Sequence, residues 1–105
     1  MSEEIGAVVW AEPLKEFCTR VFVKMDVLPE DAAATADNLV TANLRGIDSH
    51  GVARLNRYVN GLRDGVMVAR PETKVLHETL ATALIDGGAG LGQPVSVRAM
   101  RLAIE

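Results

Sequence analysis

The sequence contains a single cysteine, Cys18, among its 105 residues. One thiol cannot form an internal disulfide, so the fold is not a disulfide-stabilised scaffold, and this cysteine usage suits a reducing compartment. Cys18 lies on the apolar face of a predicted helix, where we expect a small buried hydrophobe. Because only two histidines, His50 and His77, accompany it, the sequence has too few nitrogen and sulfur ligands for a zinc site, and no metal is expected.

Aromatic residues, long apolar runs and excess positive charge are also scarce. Aromatic residues make up 4% of the chain, which favours packing of small aliphatic side chains over an aromatic core. The apolar run at 5–10 is too short to cross a membrane. The net charge is −3 and the basic residues are scattered, so no nucleic-acid partner is expected. The acidic start does not resemble a basic targeting leader, which favours a cytoplasmic protein.

Apolar residues recur at spacings of three and four in three parts of the first 65 residues, a pattern typical of amphipathic helices. These helices are predicted from Pro13 to about residue 25, from Pro29 to about Arg45, and from Asp48 or Ser49 to near Gly65. Asp48 and Ser49 are both candidates for the N-cap of the third helix. The region 1–65 is therefore predicted to be a helical subdomain.

The pattern then changes, which predicts a mixed α/β fold. Two strands are predicted at 74–77 and 81–86, and a fourth helix from Gln93 onward. Residues 66–105 would then begin a mixed α/β region. The last helix is still in mid-pattern at Glu105, which indicates the front of a longer protein.

The short run 7–10 is rich in β-prone residues, and it is predicted to pair as an edge strand ahead of the first helix.

Ser49, His50, Arg54 and Tyr58 are the candidate functional residues. If one helix starts at this point, the spacing of four places the imidazole, the guanidinium and the phenol on one face. Histidine exchanges protons near neutral pH, and a guanidinium matches a carboxylate with two parallel hydrogen bonds. Together they suit a small carboxylate with a neighbouring carbonyl. Spacing alone leaves open that Ser49 caps a helix, that His50 and Arg54 are solvated, and that Tyr58 is half buried.

The glycine-rich segment 87–92 lies between the second strand and the fourth helix. Its spacing does not match the dinucleotide-binding fingerprint, and it lacks the lysine of a P-loop. We therefore predict a tight turn from strand to helix, although Gln93 could still face a ligand.

The run from Asn43 to Tyr58, with its Asp-Ser-His-Gly-Val-x-Arg-Leu core, resembles the N-terminal signature of the malate/L-lactate dehydrogenase family. This family also includes sulfolactate and ureidoglycolate dehydrogenases and imino-acid reductases, and it differs in fold from the Rossmann-type lactate dehydrogenases. The similarity continues through 83–87, 90–93 and 98–100. It implies the front part of a sulfolactate-dehydrogenase-like fold: a three-helix cluster, then short strands and a helix.

The resemblance also implies an NAD(P)-dependent oxidoreductase that interconverts 2-hydroxy acids and 2-oxo acids. The histidine matching His50 would be the acid/base, with Ser49 paired to it. The arginine matching Arg54 would hold the substrate carboxylate, and Tyr58 would line the same pocket. The chain alone would be inactive, because the family's binding region for NAD or NADP lies beyond Glu105.

Members of the family are several times longer and form homodimers whose active sites use both subunits. In some members a second histidine, within an Asn-Ser-x-His-x-Gly segment that this sequence lacks, has the catalytic role. The acid/base assignment therefore stays open between that histidine and His50.

An alternative function is a truncated, non-catalytic interaction module that dimerises through its alanine-rich helices. This alternative predicts no nicotinamide binding, and no effect on any activity when Ser49 or His50 is changed.

Overall fold

The computed structural model describes residues 8–105, which form four α-helices and a two-stranded antiparallel sheet. In chain order the elements are α1 (Ala11–Lys24), α2 (Pro29–Leu44), α3 (Leu55–Arg63), β1 (Lys74–Glu78), β2 (Ala83–Asp86) and α4 (Gly92–Ile104). Two short 3₁₀ turns, Asp48–His50 and Val52–Arg54, precede α3. The mixed α/β fold predicted from the sequence is confirmed. The division at residue 65 stays a prediction.

The start of α1 corrects one prediction. Of the edge strand expected at 7–10, Ala7 lies outside the described residues, and Val8 to Trp10 belong to no strand. The Trp10 carbonyl oxygen instead accepts a hydrogen bond from the backbone N–H of Leu14 at 3.2 Å. The first turn of the helix therefore uses this backbone, and within residues 8–105 no strand pairs with this β-prone run.

The core lies between α1 and α2. Phe22 and Leu39 are fully buried there, and Leu91, from the loop ahead of α4, joins the same cluster. Cys18 is also fully buried, as its position on the apolar face predicted. Burial raises the pKa of this thiol above its ordinary value, because the thiolate would be poorly solvated.

Helix α2 ends in a Schellman motif. Gly46 has a positive φ of 77°, a conformation that glycine adopts without steric cost. The backbone N–H of Ile47 donates to the Ala42 carbonyl oxygen at 2.8 Å, and that of Gly46 donates to the Asn43 carbonyl oxygen at 3.0 Å. This reversal sends the chain directly into the segment that contains Ser49 and His50.

Two ion pairs connect α2 with α4. Arg98 lies 2.6 Å from the Asp31 carboxylate, whose side chain is only 11% exposed, whereas Arg101 lies 3.2 Å from an exposed Glu30 carboxylate. The inner pair is therefore the better shielded from water. It fixes α4 against α2, and so it fixes the position of Gln93 at the start of α4.

The hairpin of β1 and β2 confirms the two predicted strands to within two residues. Its ends pair Lys74 with Asp86 and Glu78 with Ala83, and the register shifts between Val75 and His77. His77 is exposed on β1, as expected for a surface strand residue. Among the helices in the described residues, none is both long and apolar enough to cross a membrane.

Candidate active site

The candidate residues do not lie on one continuous helix. The prediction that a helix begins at Asp48 or Ser49 is wrong, because α3 begins only at Leu55. His50 ends one 3₁₀ turn and Arg54 ends the next, with Gly51 between them at φ −97° and ψ −147°, outside the helical region. The shared helix face expected for the imidazole, the guanidinium and the phenol is therefore absent from this segment.

Ser49 and His50 instead form a pair within the first 3₁₀ turn. Ser49 Oγ lies 2.9 Å from His50 Nδ1, and both side chains are exposed. Which atom donates the hydrogen depends on the tautomer of the ring. Ser49 is thus a partner of the imidazole rather than the cap of a long helix. The backbone N–H of His50 donates to the Ile47 carbonyl oxygen at 3.1 Å, which closes the turn.

Arg54 returns to the same turn. Its Nε–H donates to the backbone carbonyl oxygen of Ser49 at 2.7 Å. Within residues 8–105, its two terminal guanidinium nitrogens make no hydrogen bond or ion pair. The structure therefore brings Ser49, His50 and Arg54 together, with donors on Arg54 left for an anion.

Asn43 connects α2 to this turn, and it is not among the four residues predicted to form the site. Its Nδ2 donates to the Asp48 carboxylate at 2.9 Å, and its Oδ1 accepts from the backbone N–H of Val52 at 2.8 Å. The only signal in the sequence is an amide at the end of a helix, five residues before an acidic turn residue. Asparagine readily bonds to nearby backbone at such places.

Tyr58 belongs to a separate polar group. Its ring centroid lies 6.2 Å from that of Phe22 in the core, and Gln93 Nε2 donates to its hydroxyl at 3.3 Å. Gln93 Nε2 also lies 3.4 Å from Asn38 Oδ1. Tyr58 is half buried, as in the alternative that spacing alone left open. Its phenol lies where α3 meets α2 and α4.

A cleft of about 670 Å³ opens beside the Tyr58 hydroxyl. Its lining from α2 and α4 combines neutral polar side chains, the carboxylate of Asp37 and the apolar side chains of Val97 and Met100; the neutral polar ones are Asn38, Thr41, Gln93 and Ser96. Ser49, His50 and Arg54 do not line this cleft. The structure thus divides the four candidates into two groups: Ser49, His50 and the half-buried Arg54 lie together, and the Tyr58 phenol lies at a neighbouring cleft.

The glycine-rich turn does not fit the pyrophosphate of a dinucleotide. The Asp86 carboxylate already accepts the backbone N–H of Gly88 at 2.9 Å, and Gly90 N–H donates to the Gly87 carbonyl oxygen at 3.1 Å. A phosphate would need these donors, and it would be repelled by the carboxylate. Gly88 and Ala89 both have positive φ, as in a tight turn from strand to helix.

Over residues 8–105, no group of three or more histidine, cysteine or carboxylate side chains is arranged to hold a metal ion.

Residues 9–105, nearly the whole chain, match the sequence model of one protein family, malate/L-lactate dehydrogenase. The chain belongs to this family. The match confirms the resemblance that rests on the segment from Asn43 to Tyr58.

Two curated relatives show how much of a family member the chain represents. It is 51% identical over 92 residues to malate dehydrogenase of Pyrococcus horikoshii, an alignment that covers 88% of this chain and 26% of the relative. It is 44% identical over 91 residues to L-sulfolactate dehydrogenase of Methanocaldococcus jannaschii, covering 87% of this chain and 26% of that protein. The chain therefore spans about a quarter of the length of these relatives.

Solved structures give the same result for the fold. The chain superposes on the malate dehydrogenase structure from Pyrococcus horikoshii with a TM-score of 0.89 and 48% identity, covering 96% of this chain and 31% of that one. The sulfolactate dehydrogenase structure from Methanocaldococcus jannaschii gives a TM-score of 0.89 at 42% identity, covering 93% and 28%. The helices, hairpin and turn described above are thus the N-terminal part of this dehydrogenase fold.

Proposed function

We propose that this chain supplies part of the substrate site of an NAD(P)-dependent oxidoreductase that interconverts 2-hydroxy acids and 2-oxo acids. Membership of the family supports dehydrogenase chemistry. One observation carries the assignment of the site: the imidazole of His50 and the guanidinium of Arg54 are both bonded to Ser49, the first to its hydroxyl and the second to its carbonyl oxygen. A proton carrier and an anion binder are thereby held side by side.

His50 is the proposed acid/base. With Nδ1 occupied by the Ser49 hydroxyl, Nε2 is the ring nitrogen left for the substrate. In reduction, Nε2–H donates its proton to the substrate carbonyl oxygen, and in oxidation the neutral Nε2 accepts the hydroxyl proton. The Ser49 hydroxyl can either donate to Nδ1 or accept from it, so it supports both protonation states of the ring.

Arg54 is the proposed carboxylate binder. Because its Nε is bonded to the Ser49 carbonyl oxygen, a carboxylate would bind end-on, through the two terminal nitrogens. In a 2-oxo acid the carboxylate adjoins the carbonyl carbon, so one small molecule could contact both Arg54 and His50. A contact between Tyr58 and the same substrate stays a prediction, because Gln93 holds the Tyr58 hydroxyl at the neighbouring cleft.

NAD or NADP is the proposed cofactor, and when bound it would supply or accept the hydride. Because the glycine-rich turn does not fit a pyrophosphate, we place the cofactor site in parts of the family fold outside the described residues. A homodimer and a cytoplasmic location complete the proposal, the first from the family resemblance and the second from the composition.

The test is an assay of the protein that carries this chain, with NADH or NADPH and matched carbonyl compounds. We expect oxidation of the nicotinamide with a 2-oxo acid, and far slower oxidation with the corresponding ketone that lacks the carboxylate. Equal rates with both compounds would contradict the role of Arg54. Absence of turnover with a panel of 2-oxo acids and both cofactors would favour the non-catalytic interaction module.

A further inference from the structure

We propose that Asn43 is the positioning residue of the Ser49–His50 pair, holding the turn that carries the imidazole against the end of α2. Its importance for catalysis rests on the proposed function of His50, whereas the structural claim can be tested without turnover. The inference comes from its contacts.

The Asn43 side chain bonds on both sides of the pair. Its Nδ2 donates to the carboxylate of Asp48, the residue before Ser49, at 2.9 Å. Its Oδ1 accepts from the backbone N–H of Val52, two residues after His50, at 2.8 Å. A single planar amide therefore fixes the separation between the two ends of the turn, and the catalytic pair lies between these two contacts.

Gly51 supplies an independent observation. It is buried although His50 beside it is exposed, and a side chain at this position would overlap the carbon, oxygen and nitrogen of the Asn43 amide. Because φ of Gly51 is −97°, close approach rather than an unusual backbone angle favours glycine here, and a larger residue would displace the Asn43 amide. The turn is thus packed against the amide as well as hydrogen-bonded to it.

These contacts account for the position of His50. The imidazole is exposed and has no core packing to hold it, so its orientation depends on the backbone of the turn and on Ser49. Asn43 itself extends from the last turn of α2, whose Schellman motif fixes the chain reversal. Contacts of the Asn43 side chain with Asp48 and Val52 therefore hold the turn of His50 in a fixed position against α2.

The test uses nuclear magnetic resonance of the histidine ring nitrogens in the whole chain. The chain contains only His50 and His77, and His77 on β1 serves as an internal reference in every spectrum. We expect the Nδ1 signal of His50 to differ from that of His77, because Nδ1 is bonded to Ser49. Asn43→Asp replaces the donor to Asp48 by a second carboxylate, and it should shift the His50 signal towards that of an imidazole without a fixed partner, while His77 stays unchanged.

Exchanging the amide and the carboxylate between residues 43 and 48 tests whether the hydrogen bond between them matters, rather than the presence of asparagine at position 43. In the double variant Asn43→Asp with Asp48→Asn, the new amide can donate to the new carboxylate, which can still accept from Val52. The His50 signal should return towards its original position. Asp48→Asn alone keeps an acceptor for Asn43 and should leave the signal nearly unchanged. No movement in Asn43→Asp, or no recovery in the double variant, would overturn the proposal.

Asp48→Ala covers the case in which Asn43→Asp does not fold. It removes an exposed side chain and one of the two contacts, so helical circular dichroism should be retained while the His50 signal moves. A folded Asp48→Ala variant with an unchanged His50 signal would overturn the proposal. Because these signals require no catalysis, failure of the Asn43 inference is distinguishable from failure of the His50 assignment.

Discussion

Arg54 donates its Nε–H to the backbone carbonyl oxygen of Ser49 at 2.7 Å, and the hydroxyl of the same serine lies 2.9 Å from His50 Nδ1. The guanidinium and the imidazole are therefore positioned by two polar groups of one residue. Their separation depends on the covalent geometry of Ser49 and on a short turn, not on the repeat of a helix.

Replacement of Arg54 by lysine should weaken binding of a carboxylate substrate. An ammonium group cannot bond to Ser49 and also offer a fork to the carboxylate. Hydrogen bonds to charged groups contribute about 1.5–3 kcal/mol, so KM for a 2-oxo acid should rise about 10- to 100-fold. The control is Arg57→Lys, because Arg57 is exposed on α3 and has no assigned role. Equal KM values in the two variants would refute the assignment of Arg54.

The inner ion pair between α2 and α4 should matter more for stability than the outer one. Arg98→Ala leaves the Asp31 carboxylate, 11% exposed, without its cation, and it should lower the free energy of unfolding by about 2 kcal/mol or more. Arg101→Ala removes an exposed pair with Glu30 and should cost less than about 1 kcal/mol. Urea unfolding of the two variants makes the comparison, and equal losses would show that burial does not distinguish the pairs.

Tyr58 should contribute to stability mainly through its ring. Tyr58→Phe removes the hydrogen bond from Gln93 but keeps the contact with Phe22, so we expect a loss of about 0.5–1.5 kcal/mol. Tyr58→Ala removes the ring as well and should cost at least about 2 kcal/mol more. Thermal or urea unfolding measures both. Equal losses of unfolding free energy in Tyr58→Phe and Tyr58→Ala would show that the hydroxyl, not the ring, makes the main contribution.

Cys18 should make stability depend on pH in the alkaline range. Burial raises the pKa of the folded thiol above its ordinary value of 9.0, whereas the unfolded thiol ionises at that value. The folded state is then favoured below pH about 9, and this contribution is lost as pH rises through the raised folded pKa. The free energy of unfolding should therefore fall more steeply above pH about 9 in the natural chain than in Cys18→Ala. The same pH dependence of the unfolding free energy in both proteins would contradict a raised pKa of the Cys18 thiol.

Much of the fold was predictable because the periodic patterns are long. The apolar spacing of α1 and α2 predicted both helices, and Gly46 ends α2 as its position after the predicted stripe suggests. The hairpin and α4 were also located from their patterns. The run at 8–10 was misjudged because β propensity cannot reveal whether a partner strand exists.

The roles of the site residues stay a prediction, whereas the predicted geometry of the segment is wrong. Spacings of four between His50, Arg54 and Tyr58 matched a helix, yet the chain there forms two 3₁₀ turns. The contacts that hold these turns come from Asn43, five residues before Asp48 and nine before Val52, and apolar periodicity gives no information about such polar contacts. Gln93 follows the glycine-rich turn, and its amide donates to the Tyr58 hydroxyl.

The most direct test of the central claim is the turnover of His50→Ala in the protein that carries this chain, with His77→Ala as the matched control. His50 is exposed, so its removal should leave the free energy of unfolding within about 0.5 kcal/mol. Loss of a general acid/base should lower kcat about 100- to 10,000-fold, while His77→Ala retains full activity. An unchanged kcat in His50→Ala would contradict the account and would assign the proton transfer to another residue.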